Sequence, residues 1–274
     1  MTSEDNYILT RDFLENSRLN LFHYQWVEVF GYRTHPKIPI DGPKLRLADI
    51  GAGTGVWLTD LAARLPPSVQ LDGLDVSLRA MPPKEWLPSN MTVREWDIKS
   101  EVPNDLVGVY DIVHARNFIF VLKNDEIKDT MAKMMKLLKP GGYLQWGESE
   151  IYKWKIMQSN PQGDASALGE LMSLTLGQDA RLQATWISNI AEYLTEAGFE
   201  DVETDLRDPQ PHLAFMMHEC QLVLHELITR QTRNESVRKE VQRLLPLVEE
   251  QTVAGASTDI PRRNVIGKKP KVGD

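Results

Sequence analysis

The sequence predicts an α/β fold: a largely parallel sheet with helices on both faces. Short apolar runs alternate with segments of helical spacing along residues 45–150, the pattern of strand–helix–strand units. The first run, LRLADI, passes through a glycine-rich bend (DIGAGTG) directly into a helical segment. Three successive strand candidates also end at or beside an acid: Asp49, Asp75 and Asp97.

The bulk properties narrow the class. At 274 residues, one large domain or one domain with a small cap is expected. Hydrophobic residues make up 42% and charged residues 26%, which suits a soluble globular protein. A formal net charge of −8 and a pI near 5.4 argue against a nucleic-acid-modifying enzyme, which needs a basic surface. The single cysteine, Cys220, excludes an internal disulfide and a zinc cluster. No apolar run approaches the roughly 18 residues of a membrane span, and MTSEDNYILT lacks the basic-then-apolar signal pattern. A cytoplasmic protein is expected.

Residues 1–40 form a leader. Leu19, Phe22, Trp26 and Val29 step helically, with Arg11, Glu15 and Arg18 as a polar stripe beside them. A solvated face is the plain reading of that stripe. Pro36, Pro39 and the Asp41–Pro43 segment mark the linker into the sheet.

The first core strand follows, with Leu45, Leu47, Ala48 and Ile50 apolar, as in a strand covered on both faces. Gly51, Gly53 and Gly55 let the backbone approach a ligand closely, with Ala52 between the first two. The helix from Val56 to Leu65 then offers unpaired N–H groups at its start. The spacing is G-x-G-x-G rather than the G-x-G-x-x-G of dinucleotide sites, and an acid precedes it. An acid there suits a ligand carrying an amine better than one carrying a pyrophosphate.

Val69 to Leu74 is the second strand and ends at Asp75, 20 residues beyond Gly55 (75 − 55). An acid at that distance binds ribose hydroxyls in folds of this class, with Val76 beside it. Met91 to Trp96 is the third strand, followed by Asp97 and Ile98. Val109 to Ala115 is the fourth, with Arg116 and Asn117 at its exit. Asn124 then caps a helix whose stripe is Ile127, Met131, Met134, Met135 and Leu138, stopped by Pro140-Gly141-Gly142. Tyr143 to Glu148 is the fifth strand.

Beyond it, helices are predicted over 164–177, 186–198, 213–227 and 237–251. Phe199–Leu206 reads as a strand and Asn264–Lys269 as a final one. The domain boundaries are therefore a leader over 1–40 and a main domain over 41–274, with helical insertions at about 151–185 and 211–256.

The stretches DIGAGTG, LDVS, WDI, YDIVHARN and LLKPGGYLQWGE resemble the successive motifs of class I S-adenosylmethionine (SAM) methyltransferases. The leader, NYILTRDFLENSRLNLFHY, is similar to that of fungal secondary-metabolism members, both LaeA-like proteins and small-molecule N- and O-methyltransferases. The resemblance implies a Rossmann-like seven-stranded sheet and SAM as cofactor. It implies that Asp49 meets the amine, Asp75 the ribose and Asp97 with Ile98 the adenine. With that fold, His114, Arg116 and Asn117 fall near the transferred methyl, Ala115 joins Arg116 and Asn117 as a candidate cofactor contact, and Tyr7, Arg11 and Arg18 become candidates for the methionine moiety.

The implied reaction is methyl transfer to a nitrogen or oxygen of a small, largely apolar metabolite, mainly by in-line positioning of the nucleophile. A base is needed only for a protonated nucleophile; His114, Glu148, His23 and the histidines of the later insertion, His218 and His225, are the available groups, the first three being the leading candidates. His114 reads equally as a core histidine. Trp146, at the exit of the fifth strand, and Met217, His218 and Gln221, in the second insertion, are candidate substrate contacts. His225 shares the His218 face and reads as solvated. No acid–His cluster has metal-ligand spacing, so no metal is expected. Neither nucleic acid nor membrane is an expected partner, and a homodimer is left open. The alternative is a protein of the same fold that does not transfer methyl, either a regulator or a SAM-dependent pericyclase.

Overall fold

The computed structural model describes residues 9–177, 180–232 and 234–271. The described chain begins with α1 (Phe13–Phe30), β1 (Arg46–Ile50), α2 (Val56–Ala62), β2 (Gln70–Asp75), β3 (Met91–Glu95) and β4 (Tyr110–Arg116). It continues through α3 (Ile127–Leu137), β5 (Leu138–Ser149), β6 (Lys155–Gln158), α4 (Ser166–Leu176), α5 (Ile190–Glu196) and β7 (Glu200–Arg207). The last elements are α6 (Pro211–Gln231), α7 (Glu235–Val253), β8 (Ala256–Asp259) and β9 (Arg262–Lys268).

Seven strands form one sheet in the order β3-β2-β1-β4-β5-β9-β7. The first five are parallel, and β9 runs antiparallel to both its neighbours. This is the Rossmann-like seven-stranded sheet that the resemblance implies. Its strand order reverses between β1 and β4, and a crevice opens beyond the carboxyl ends of strands at such a point.

Alternation along β1 explains why the sheet carries two cores. Leu47 packs with Trp57, Leu58 and Leu61 of α2, whereas Ala48 and Ile50 join Met131, Met134 and Leu137 of α3. All these residues are buried.

α1 is capped by Asp12, whose carboxylate accepts from Leu14 N at 3.0 Å and Glu15 N at 3.1 Å. It ends at Gly31, which takes φ +75°. Its apolar face, with Phe22, Trp26 and Phe30, packs on Met217 and Cys220 of α6.

The insertions differ from their helical expectation. β6 and β8 pair as a separate antiparallel ribbon, and α4 and α7 pack beside it around Leu168, Leu171, Leu244 and Val248. KIMQ and ASTD are four residues long and show no apolar alternation. Their pairing is a long-range contact that local pattern does not reveal.

Three smaller boundaries also move. α3 ends at Leu137 without help from Pro140, and β5 runs through the Pro-Gly-Gly segment. The cap of its leading turn is the Lys123 N–H held by Glu126 at 2.8 Å. Asn124 instead sits inside the turn and donates to Gln183 O. The helix expected over 186–198 is a 3-10 turn (Ile187–Asn189) followed by the short α5.

Candidate functional site

One cavity lies beyond the carboxyl ends of β1, β2 and β4, flanked by α1 on one side and by α4 and α6 on the other. Its floor is the glycine bend. Gly51 and Gly53 take φ +66° and +56°, a region that residues with a side chain rarely adopt. The amides of this bend are largely satisfied internally. Gly51 N donates to Leu74 O, Gly53 N to Asp75 Oδ2 and Gly55 N to Ala52 O, each at 2.8 Å. The bend therefore has little left to cradle a pyrophosphate; the start of α2, where open N–H groups are expected, has no side-chain cap, but the helix is only seven residues long.

The three strand-tip acids all line the cavity. Asp49 Oδ1 accepts from His114 Nδ1 at 2.7 Å, while Oδ2 makes no hydrogen bond among the described residues. The His114 ring stacks on Trp57 with centroids 4.1 Å apart. Burial lowers the His114 pKa, so the neutral ring donates Nδ1–H to the carboxylate and keeps its Nε2 lone pair. Both Asp75 oxygens accept backbone N–H groups, from Gly53 at 2.8 Å and Ser77 at 3.0 Å. Burial raises the Asp75 carboxyl, and each oxygen retains a lone pair for a hydroxyl donor. Asp97 Oδ1 closes a turn by accepting from Lys99 N at 2.9 Å. Val76 and Ile98 line the cavity beside these acids.

At the tip of β4, Arg116 and Asn117 also face the cavity, and Asn117 holds φ +61°. The Arg116 guanidinium lies 5.5 Å from the Trp26 ring and donates to His23 Nδ1 at 3.1 Å. Burial lowers Arg116 to about 10, so it stays charged at neutral pH. His23 Nε2 in turn donates to Asp60 Oδ2 at 3.0 Å, and Asp60 also holds Arg33 and Arg64. Arg18 pairs with Glu15 through two contacts of 2.7 Å, and both residues line the cavity with Arg11.

Several expected residues lie elsewhere. Fully buried His23 does not line the cavity and has both ring nitrogens engaged. Burial, with Arg116 second, lowers it to about 4, so it orients Arg116 rather than meeting a substrate. Glu148 is fully buried behind the β4 tip. It accepts from Phe118 N at 2.6 Å, Ile119 N at 3.3 Å and Trp146 Nε1 at 2.8 Å. It braces the turn that follows Asn117 and does not reach the cavity.

Trp146 is core, with its ring between Phe118 and Trp186. Met217 is buried against α1. His218 is locked between Thr252 and Thr258 at 2.9 and 3.1 Å. In each case an apolar or polar partner from a distant segment takes the side chain away from the cavity. Gln221 does line it, with Oε1 accepting from Thr258 Oγ1 at 2.9 Å. Ala115 is buried inside the sheet, and Gly55, at the start of α2, lies against Met81; neither lines the cavity. Tyr7 lies outside the described residues.

His225 reverses its expectation. Instead of being solvated it is 3% exposed and lines the cavity. Its partner, Thr175, belongs to a helix 50 residues away, so nothing local in the sequence announces the pair. Among the described residues, no group of three or more His, Cys, Asp or Glu could hold a metal. No described helix is long and apolar enough to cross a membrane.

Residues 48–144 match the family model of a methyltransferase domain. The chain is 34% identical over 159 residues to Methyltransferase grgD of a Penicillium species, covering 55% of each chain. It is 27% identical over 205 residues to N-methyltransferase tcpN of Claviceps purpurea, covering 70% of this chain and 68% of that one. The first of these matches thus spans about half the length of the relative. A solved Haemonchus contortus phosphoethanolamine N-methyltransferase 2, in complex with phosphomonomethylethanolamine and S-adenosylhomocysteine, is 16% identical with a TM-score of 0.50. That match covers 95% of this chain and 60% of the other, and it shows likeness of fold.

Proposed function

We propose that this chain, which carries a class I SAM-dependent methyltransferase domain, methylates a small, largely apolar metabolite, at nitrogen in the first instance. When bound, SAM supplies a methyl already activated by a sulfonium, so the residues around it have mainly to bind, orient and exclude water. Two relatives bear on the reading. One is named only as a methyltransferase, and the other as an N-methyltransferase, which favours nitrogen over oxygen.

The observation that carries the cofactor reading is the lining of one cavity by Asp49, Asp75 and Asp97 at successive strand tips. A cationic, hydroxyl-bearing ligand fits that donor set. Asp49 Oδ2, without a partner among the described residues, is left for an ammonium, and Asp75 keeps lone pairs for two hydroxyls. Asp97 and Ile98, which line the same cavity, are then the proposed contacts of the base. A dinucleotide fits poorly, because the bend's amides are already bonded, those of Gly51, Ala52 and Gly53 to Leu74 and Asp75 of β2 and that of Gly55 to Ala52. α1 forms the wall over the acids, in keeping with a leader that closes on the cofactor, and α4 with α6 forms the substrate side.

Isothermal titration with S-adenosylhomocysteine tests the cofactor half. Binding is expected, with Asp75→Ala weakening it at least about tenfold, or 1.4 kcal/mol. No binding by the wild-type chain removes SAM from the account. Labelled SAM with a metabolite extract then tests transfer. Binding without any labelled product would favour the non-transferring alternative.

A further inference from the structure

The cavity has two electrically different halves. The strand-tip side carries the acids and arginines described above. On the opposite side, none of the cavity-lining residues of α4 or α6 carries a formal charge: Met172, Thr175, Leu176, Gln221 and Leu224 accompany His225. An uncompensated ionic group entering that side would lose its hydration without gaining a partner.

The hydrogen bonds around His225 set its tautomer. His225 Nδ1 lies 3.0 Å from Thr175 Oγ1, which is itself 2.9 Å from Leu171 O. A carbonyl only accepts, so the Thr175 hydroxyl donates to Leu171 and its oxygen accepts Nδ1–H from His225. That leaves the His225 Nε2 lone pair, which has no hydrogen-bond partner among the described residues. The side chain is 97% withdrawn from solvent, being 3% exposed. We infer that His225 Nε2 accepts the N–H or O–H of an uncharged, largely apolar substrate and takes its proton during transfer, a role that rests on the methyltransferase reading above.

The step balances without a further reactant. The substrate heteroatom donates its electron pair to the methyl carbon as the carbon–sulfur bond breaks, with both bonding electrons going to sulfur. The substrate proton passes to His225 Nε2 and then to water. Burial, with His218 adding to it, holds the His225 pKa to about 4. So weak a base does not strip an ammonium, but it suffices for a proton that becomes acidic as the heteroatom is alkylated. The uncharged α4–α6 lining, with a single Nε2 acceptor, favours an amide, indole, phenol or alcohol over a free amine, which enters as an ammonium at neutral pH.

The full chain saturated with S-adenosylhomocysteine tests this by calorimetry with four naphthalenes of similar shape: 2-naphthol, 2-methoxynaphthalene, 2-naphthylmethylammonium and 2-naphthoate. The naphthol is expected to bind at least about tenfold more tightly than the other three. His225→Leu should abolish the difference between naphthol and methyl ether while leaving S-adenosylhomocysteine affinity unchanged. In wild-type protein labelled with 15N-histidine, the His225 Nε2 resonance should move on addition of naphthol, a readout that needs no variant. Absent naphthol binding, equal affinity for naphthol and ether, tighter binding of either ion, an unmoved resonance, or a preference surviving His225→Leu each overturns the assignment. Failure of S-adenosylhomocysteine to bind in the first place would instead strike the cofactor reading.

Discussion

His23 Nδ1 lies 3.1 Å from the Arg116 guanidinium, joining α1 to the tip of β4 across 93 positions of sequence. An arginine only donates, so His23 must accept through Nδ1 and donate through Nε2 to Asp60, 3.0 Å away. The leader is thereby hydrogen-bonded to a residue that faces the cavity.

His23→Leu removes the acceptor and leaves both Arg116 and Asp60 short of a partner. The KM for SAM is expected to rise at least about fivefold, with a smaller change in kcat. His23→Gln, which keeps an oxygen acceptor, should recover part of the loss. A kcat profile whose acidic limb disappears in His23→Gln would show instead that His23 takes a proton.

Glu148 predicts a different signature. Its carboxyl braces the N–H groups of Phe118 and Ile119 inside a dry turn, so Glu148→Ala leaves buried donors unpaired. Such groups cost about 1–3 kcal/mol each, and a fall in unfolding free energy of that order is expected, measurable in urea. Burial raises the folded pKa to about 8, well above the unfolded value of 4.5. The folded state therefore binds the extra proton between these values, and this contribution is lost as pH rises toward 8. Glu148→Gln does not titrate, so its stability deficit should shrink between pH 6 and pH 8.

The parts of the molecule that were legible from the sequence are those whose signal is local. β1 to β5 announce themselves by short apolar runs, α3 by its methionine stripe, and the cavity floor by alternate glycines after an acid. Asp49, Asp75 and Asp97 reach the same cavity because parallel strands end on the same edge of a sheet. What the sequence concealed was decided by partners far along the chain. Trp146 and Glu148 stand at the exit of β5, as active-site residues would, yet they turn into the core to meet Phe118 and Trp186. His218 and His225 share one face of α6, but Thr252 and Thr258 bury the first while Thr175 presents the second to the cavity. Helical spacing shows that two residues share a face and says nothing of what packs against it.

The bend itself can be tested through Gly51. It holds φ +66°, and a Cβ there would stand 3.1 Å from two ring atoms of Phe118, the residue whose backbone Glu148 braces. Gly51→Ala must bear the left-handed conformation, about 1–2 kcal/mol, and displace the ring as well. Affinity for S-adenosylhomocysteine is expected to fall at least about tenfold, with a lower Tm. Unchanged affinity would show that the bend does not contact the ligand.

The buried histidines predict how the fold responds to acid. His23, His218 and His225 are each held to about 4, first by burial, against about 6.5 when unfolded. Between those values the unfolded chain binds more protons than the folded one, so stability present above pH 6.5 is lost as pH falls through 4. Glu148 and Asp75, both raised by burial, work the other way over part of the same range, two carboxyls against four buried imidazoles once His114 is included. The midpoint of urea unfolding should therefore drop between pH 7 and pH 5. His218→Gln removes one of the four without touching the cavity, since both His218 ring nitrogens face Thr252 and Thr258. Its midpoint should be lower at pH 7, because that pair of bonds is disturbed, but should fall less steeply toward pH 5. Parallel slopes in the two proteins would mean that His218 titrates in the folded state much as it does in the unfolded chain, and that burial does not keep it neutral.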